Sequence, residues 1–117
     1  MFSVVAVATP PPLTRPQIFV ELAKSLIEHG ETEMAVAQLR LAEPLARGDM
    51  KNDTRRRIGM CLVDLGKLDA SVAALRLYIE GRGEAAPPDE QVDAALAAAL
   101  AAIETRDAPP PSDVDSD

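Results

Sequence analysis

The stretch LIEHGETEMAVAQLRLA, Leu26 to Ala42, decides the fold, because Gly30 is either a flaw inside one long helix or the hinge between two. A glycine in a helix interior costs about 1 kcal/mol relative to alanine, and His29, Gly30 and Glu31 leave the middle of the pattern without an apolar residue. A second copy of the stretch settles the choice. Residues 22–42, LAKSLIEHGETEMAVAQLRLA, align with residues 58–78, IGMCLVDLGKLDASVAALRLY, at an offset of 36. Leu26/Leu62, Gly30/Gly66, Val36/Val72, Ala37/Ala73, Leu39/Leu75, Arg40/Arg76 and Leu41/Leu77 are identical, and Leu22/Ile58, Ala23/Gly59, Ile27/Val63 and Glu28/Asp64 are conservative. A glycine at the same place in both copies, between two runs of helical apolar periodicity, predicts a helix C-terminus in which only glycine takes the left-handed conformation without strain. Each copy is therefore expected to be a helical hairpin.

Thr14 is a good N-cap and Pro16 suits a first turn, so the first helix is expected from about Thr14, with Phe19, Leu22, Ala23, Leu26 and Ile27 as its apolar stripe. The second, from about Thr32 into the mid-forties, buries Ala35, Leu39 and Ala42. Pro44 has no N–H for the carbonyl of Arg40 and is expected to kink or end it. Asn52 or Asp53 is the expected cap of the third helix, which buries Ile58, Gly59, Leu62 and Val63 and stops at Gly66. The fourth runs from about Asp69 to Glu80 with Val72, Leu75 and Tyr78 inward. Beyond GRGEAAPPD, the fifth helix, EQVDAALAAALAAIE, presents Val92, Leu96, Leu100 and Ile103 and caps the stack. The expected fold class is all-α: a short α-solenoid of two helical hairpins plus a capping helix.

Composition agrees. Of 117 residues 47% are hydrophobic, mostly Ala, Leu and Val, with Tyr78 and two Phe the only aromatics; alanine and leucine are the strongest helix formers. Proline triplets at Pro10–Pro12 and Pro109–Pro111 bound the ordered part. Residues 1–13 are expected as an extended apolar and proline-rich segment, 14–106 as the helical domain, and 107–117 as a disordered acidic tail. The apolar run Phe2 to Ala8 is short for a signal sequence and no Lys or Arg precedes it, so the chain is expected to keep its N-terminus. No segment offers the roughly 18 continuous apolar residues of a membrane span. One cysteine, Cys61, forbids an intramolecular disulfide and favours a cytoplasmic setting. A net charge of −7 argues against nucleic acid and anionic membranes as partners. The bias to Ala, Arg, Pro and Asp suggests a G+C-rich bacterium.

In these residues the chain resembles the tetratricopeptide repeat (TPR), a helical hairpin of 34 residues in that family. The first copy offers Phe19, Leu22, Ala23, Leu26, Gly30, Ala35, Leu39 and Ala42; the second offers Ile58, Gly59, Leu62, Gly66, Ser71, Leu75 and Tyr78. The match spans about residues 16–82. It departs from the family pattern at Arg55, which stands at the early aromatic site, at Tyr78, which replaces a small residue, and in lacking a closing proline. The resemblance implies that the first helices of successive hairpins line a concave groove for a peptide or partner helix.

No catalytic, cofactor or metal site is expected. His29, the only histidine, sits beside Gly30 as a donor or cation at a helix C-terminus, and Cys61 reads as a small core residue. Gly81 and Gly83 in EGRGE lack the strand-to-helix setting of a phosphate loop. Glu31, Glu33, Asp64, Asp89, Glu90 and Asp93 are accounted for as helix starts or solvated faces. NDTRRR is different: it would put Arg55, Arg56 and Arg57 in the first turn of the third helix, at the positive end of its dipole, with Asp49 and Asp53 as partial neutralisers. Together with Gln17, Val20, Lys24, Ile27, Met60 and Val63 they make an apolar and basic groove floor, suited to an acidic or carboxylate-ended segment.

The expected function is a non-enzymatic, TPR-like adaptor or scaffold that holds a segment of another protein. The alternatives are a small cytoplasmic secretion chaperone, recognised by an aggregation-prone exported partner, and a self-assembling homo-oligomeric subunit joined through the N-terminal segment or the fifth helix. FSVVAVAT is expected either to dock in the groove, to pair with a partner strand, or to be a disordered end.

Overall fold

A computed structural model describes residues 12–109, and they form five α-helices in sequence: α1 Arg15–Glu28, α2 Thr32–Ala42, α3 Gly48–Asp64, α4 Leu68–Arg82 and α5 Glu90–Asp107. No strand occurs among the described residues. The expectations for FSVVAVAT and for residues 110–117 of the acidic tail lie outside them, and Asp107, expected to open that tail, is instead the last residue of α5. α1 opens on a capping box in which Thr14 Oγ1 accepts the N–H of Gln17 and Gln17 Oε1 accepts that of Thr14 at 2.7 Å, with Pro16 in the first turn.

The two hinge glycines are chemical twins. Gly30 has φ 78° and Gly66 φ 74°. Gly30 N–H donates to Ile27 O at 3.0 Å and Glu31 N–H to Leu26 O at 2.8 Å; Gly66 N–H donates to Val63 O at 3.0 Å and Lys67 N–H to Leu62 O at 2.9 Å. Both are Schellman closures, in which a left-handed residue lets the chain turn back while satisfying the last carbonyls. Two hairpins, α1–α2 and α3–α4, result. Each helix packs on its sequence neighbours, and α5 lies against both α4 and α3.

The hydrophobic core has two centres that meet on α3. One gathers Val20 and Ala23 of α1, Ala35, Val36, Leu39 and Ala42 of α2, and Ile58, Cys61 and Leu62 of α3. The other is Leu75 and Tyr78 of α4 with Val92 of α5, covered by Met60 and Val63 from α3. Gly59 lets α3 and α4 approach so closely that a Cβ there would stand 2.7 Å from Leu75 Cγ.

Three expectations are corrected. On α1 the buried positions are Val20 and Ala23, while Leu22 and Ile27 are 46% and 38% exposed, because this end helix packs chiefly on α2 and its other flank stays open. On α5, Ala99 is buried and Leu100 exposed, since close approach favours the smaller side chain. The third helix starts at Gly48, about a turn before Asn52 and Asp53, neither of which caps it. Lys51 ties the extra turn to the end of α2 by donating to the Glu43 carbonyl at 3.0 Å, and buried Thr54 bonds back to Met50 O within α3 at 2.7 Å. Arg55 to Arg57 therefore lie in mid-helix, away from the dipole's positive end. At Pro44 the expectation agrees with the structure, for α2 ends at Ala42 with Glu43 as its C-cap.

Candidate partner-binding surface

Successive residues on a helix point about 100° apart, so Arg55, Arg56 and Arg57 leave α3 in three directions. Arg55 turns towards the end of α2, its Nε 3.5 Å from Glu43 Oε1. Arg56 reaches α5, donating from Nε to Asp89 Oδ2 at 2.8 Å and from Nη2 to Gln91 Oε1 at 2.7 Å. Arg57 stays on its own helix, paired with Asp53 Oδ2 at 2.8 Å. The three do not form one basic patch.

Arg56 belongs to a node that the sequence did not reveal. Asp89 is the N-cap of α5 and accepts the Val92 N–H; its Oδ2 also accepts the Tyr78 hydroxyl at 2.7 Å. The Arg56 guanidinium, helped by Tyr78 and the Val92 N–H, holds the Asp89 carboxyl far below the usual carboxylate range. The Asp89 hydrogen bond in turn raises Arg56. Desolvation first, then that carboxylate, push the Tyr78 phenol up. Asn52 Nδ2 donates to the Tyr78 carbonyl at 3.0 Å, and Arg82 stacks over the Tyr78 ring at 5.5 Å. Asp49, Asn52, Asp53, Arg56, Tyr78 and Arg82 line a cleft of about 330 Å³ beside this node. The Arg56 and Asp89 charges satisfy each other, while the buried Asn52 Oδ1 has no partner; the node fastens α3, α4 and α5 together.

The remaining candidates divide into accessible and committed residues. Lys24, paired with Glu21 at 3.2 Å, keeps 42% of its side chain exposed, and Ile27 is open to solvent. Gln17 is engaged in the capping box. Val20 is buried in the first core centre, and Met60 and Val63 are half-buried against the second. Lys24 and Ile27 are thus the more open of the first-helix candidates, and Arg57 on α3 keeps 31% of its side chain exposed beside Asp53. His29 Nδ1 lies 2.8 Å from the Ser25 carbonyl and so carries the proton it donates there. Cys61 is buried, which raises its thiol pKa. Among the described residues no group of three or more His, Cys, Asp or Glu is placed to hold a metal ion, and no helix is long and apolar enough to cross a membrane.

Asp89 and Asn52 carried no local signal beyond helix-start chemistry; their partners lie 33, 11 and 26 residues away. No protein-family model matches this chain, and no curated protein or solved structure shows significant similarity to it.

Proposed function

We propose that this chain is a non-enzymatic protein–protein interaction module of TPR-like architecture, an adaptor working in the cytoplasm that holds a segment of another protein along its first helices. The observation that supports the reading is the pair of identically closed hairpins, Leu26 to Glu31 and Leu62 to Lys67, with a further helix packed on the second. Successive hairpins present the outer sides of their first helices at equivalent repeat positions, an arrangement suited to reading an extended or helical segment. Lys24 and Arg57 pair with Glu21 and Asp53 of their own helices, and these are the cations that the carboxylates of a bound segment would engage.

The test is affinity capture from the native host with the wild-type chain and with Lys24→Glu/Arg57→Glu, each bait checked for unchanged helicity. Arg56 is left intact, because reversing it would break the node with Asp89. The expected result is a partner enriched on the wild type and reduced at least about tenfold on the variant, in keeping with the loss of charge steering. Equal recovery on both baits would remove the basic face from the proposal.

A further inference from the structure

The two hairpins share more than their packing requires. On α2, Glu33, Ala37, Arg40 and Leu41 are all exposed, and their spacing of i, i+4, i+7 and i+8 puts them on one face. α4 repeats the stripe outward as Asp69, Ala73, Arg76 and Leu77, again all exposed. Neighbouring positions have diverged: Glu31/Lys67 reverses charge, and Met34/Ala70 and Gln38/Ala74 change size. Leu41 and Leu77 remain 50% and 46% exposed, so burial in the core does not account for a leucine at both sites. Arg40 and Arg76 form no ion pair among the described residues. The surface beside them is indented. Arg40, Ala73 and Leu77 border one hollow of about 330 Å³, and Ala73, Arg76, Leu77 and Ile79 border another of about 410 Å³.

This stripe is complementary to itself. It begins with a carboxylate, has alanine in the middle, and reaches arginine seven residues after the acid, a span of about 10.5 Å along a helix. Turned end for end, it presents arginine where the acid stood. Two such helices lying antiparallel with their alanines in contact bring each carboxylate to the other's guanidinium, while the leucines cover the flanks. A contact in which residue i meets j and j meets i is what a two-fold axis requires. An axis that crosses both helices at their alanines would serve both stripes at once.

We propose that the outer face of α2 and α4 docks a second copy of this chain, antiparallel, with the carboxylates of Glu33 and Asp69 facing Arg40 and Arg76 across a two-fold axis near Ala37 and Ala73. This interface lies on different helices from the partner surface proposed above, and each stands or falls alone. Helices of 11 and 15 residues, about 16 and 22 Å long and about 10 Å wide, offer about 400 Å² per copy. That is half of a standard interface of about 800 Å² per partner, so the dimer is weak and concentration-dependent.

Sedimentation velocity of the full chain, from about 10 μM to about 1 mM at low salt, should show a reversible monomer–dimer equilibrium that weakens as salt is raised to about 0.5 M. Glu33→Arg/Asp69→Arg and Arg40→Glu/Arg76→Glu should each weaken it at least about tenfold through like-charge contacts, and an equimolar mixture of the two should regain the wild-type affinity to within about threefold, since every charge is then re-paired. Asp69 also pairs with Arg106 at 2.9 Å, so the single variants Glu33→Arg and Arg40→Glu form a second set that leaves that pair intact. A chain that stays monomeric throughout, a dimer indifferent to the reversals, or a mixture no tighter than its components would each overturn the proposal.

Discussion

Asp89 joins three elements: it caps α5, accepts the Tyr78 hydroxyl of α4, and pairs with Arg56 of α3. Asp89→Asn keeps a competent cap but removes the charge, leaving a half-buried Arg56 without its carboxylate. The expected loss is about 2 kcal/mol by urea denaturation at neutral pH. The pH dependence follows in sign. The Asp89 carboxyl is held below its ordinary value in the folded chain, so the native state binds fewer protons there than the unfolded state. Its contribution is complete above about pH 5 and declines as pH falls below about 4. The gap between wild type and Asp89→Asn should therefore narrow in acid; a constant gap from about pH 7 to about pH 3 would remove the proton linkage. None of this was legible locally. "PPDEQV" announces a helix start, which is right, but the partners of Asp89 lie 33 and 11 residues away, and no pattern within a helical turn could name them. The same distance hides why Arg56 sits where it does.

At the scale of the element, glycines separate what pattern alone reveals from what needs a neighbour. Gly30 and Gly66 were legible because they recur at the hinge of both copies, and their positive φ is the physical reason. A Cβ at either would meet nothing within 4 Å. Gly30→Ala and Gly66→Ala should therefore each cost about 1–2 kcal/mol from backbone strain alone, and the two losses should add in the double variant. Gly59 obeys a different rule. Mid-helix, alanine would gain about 1 kcal/mol of helix propensity, but its Cβ would stand 2.7 Å from Leu75 Cγ and 3.3 Å from the Leu75 backbone nitrogen. Overpacking of that kind costs about 1–3 kcal/mol, so Gly59→Ala should be destabilising overall. A more stable Gly59→Ala protein in thermal or urea melts would mean that α3 and α4 can separate slightly without loss. The start of α3 shows the opposite case. Gly48 to Lys51 supply only Met50 as an apolar residue, so hydrophobic period had nothing to mark there, and the turn is secured instead by Lys51 on the Glu43 carbonyl.

At the scale of the whole molecule, the two core centres make α3 the shared element: Ile58, Cys61 and Leu62 belong to one, Met60 and Val63 to the other. The end helices are held more lightly, with two buried residues each, Val20 and Ala23 on α1, Val92 and Ala99 on α5. In a stack where each helix is stabilised by its neighbours, opening begins at the ends and the central element is the last to lose its partners. The ends are not equivalent, however. α5 is fastened by the Asp89 node, whereas no salt bridge joins α1 to another helix among the described residues. Native-state hydrogen exchange should therefore rank α3 slowest, its central amides exchanging only with global unfolding, then α4 and α2, with α5 ahead of α1. Asp89→Asn should speed exchange in α5 selectively while leaving α1 and α2 unchanged relative to global stability. If α1 were as protected as α3, or if the substitution accelerated every helix equally, the five helices would be unfolding as a single unit and the nearest-neighbour description of this stack would fail.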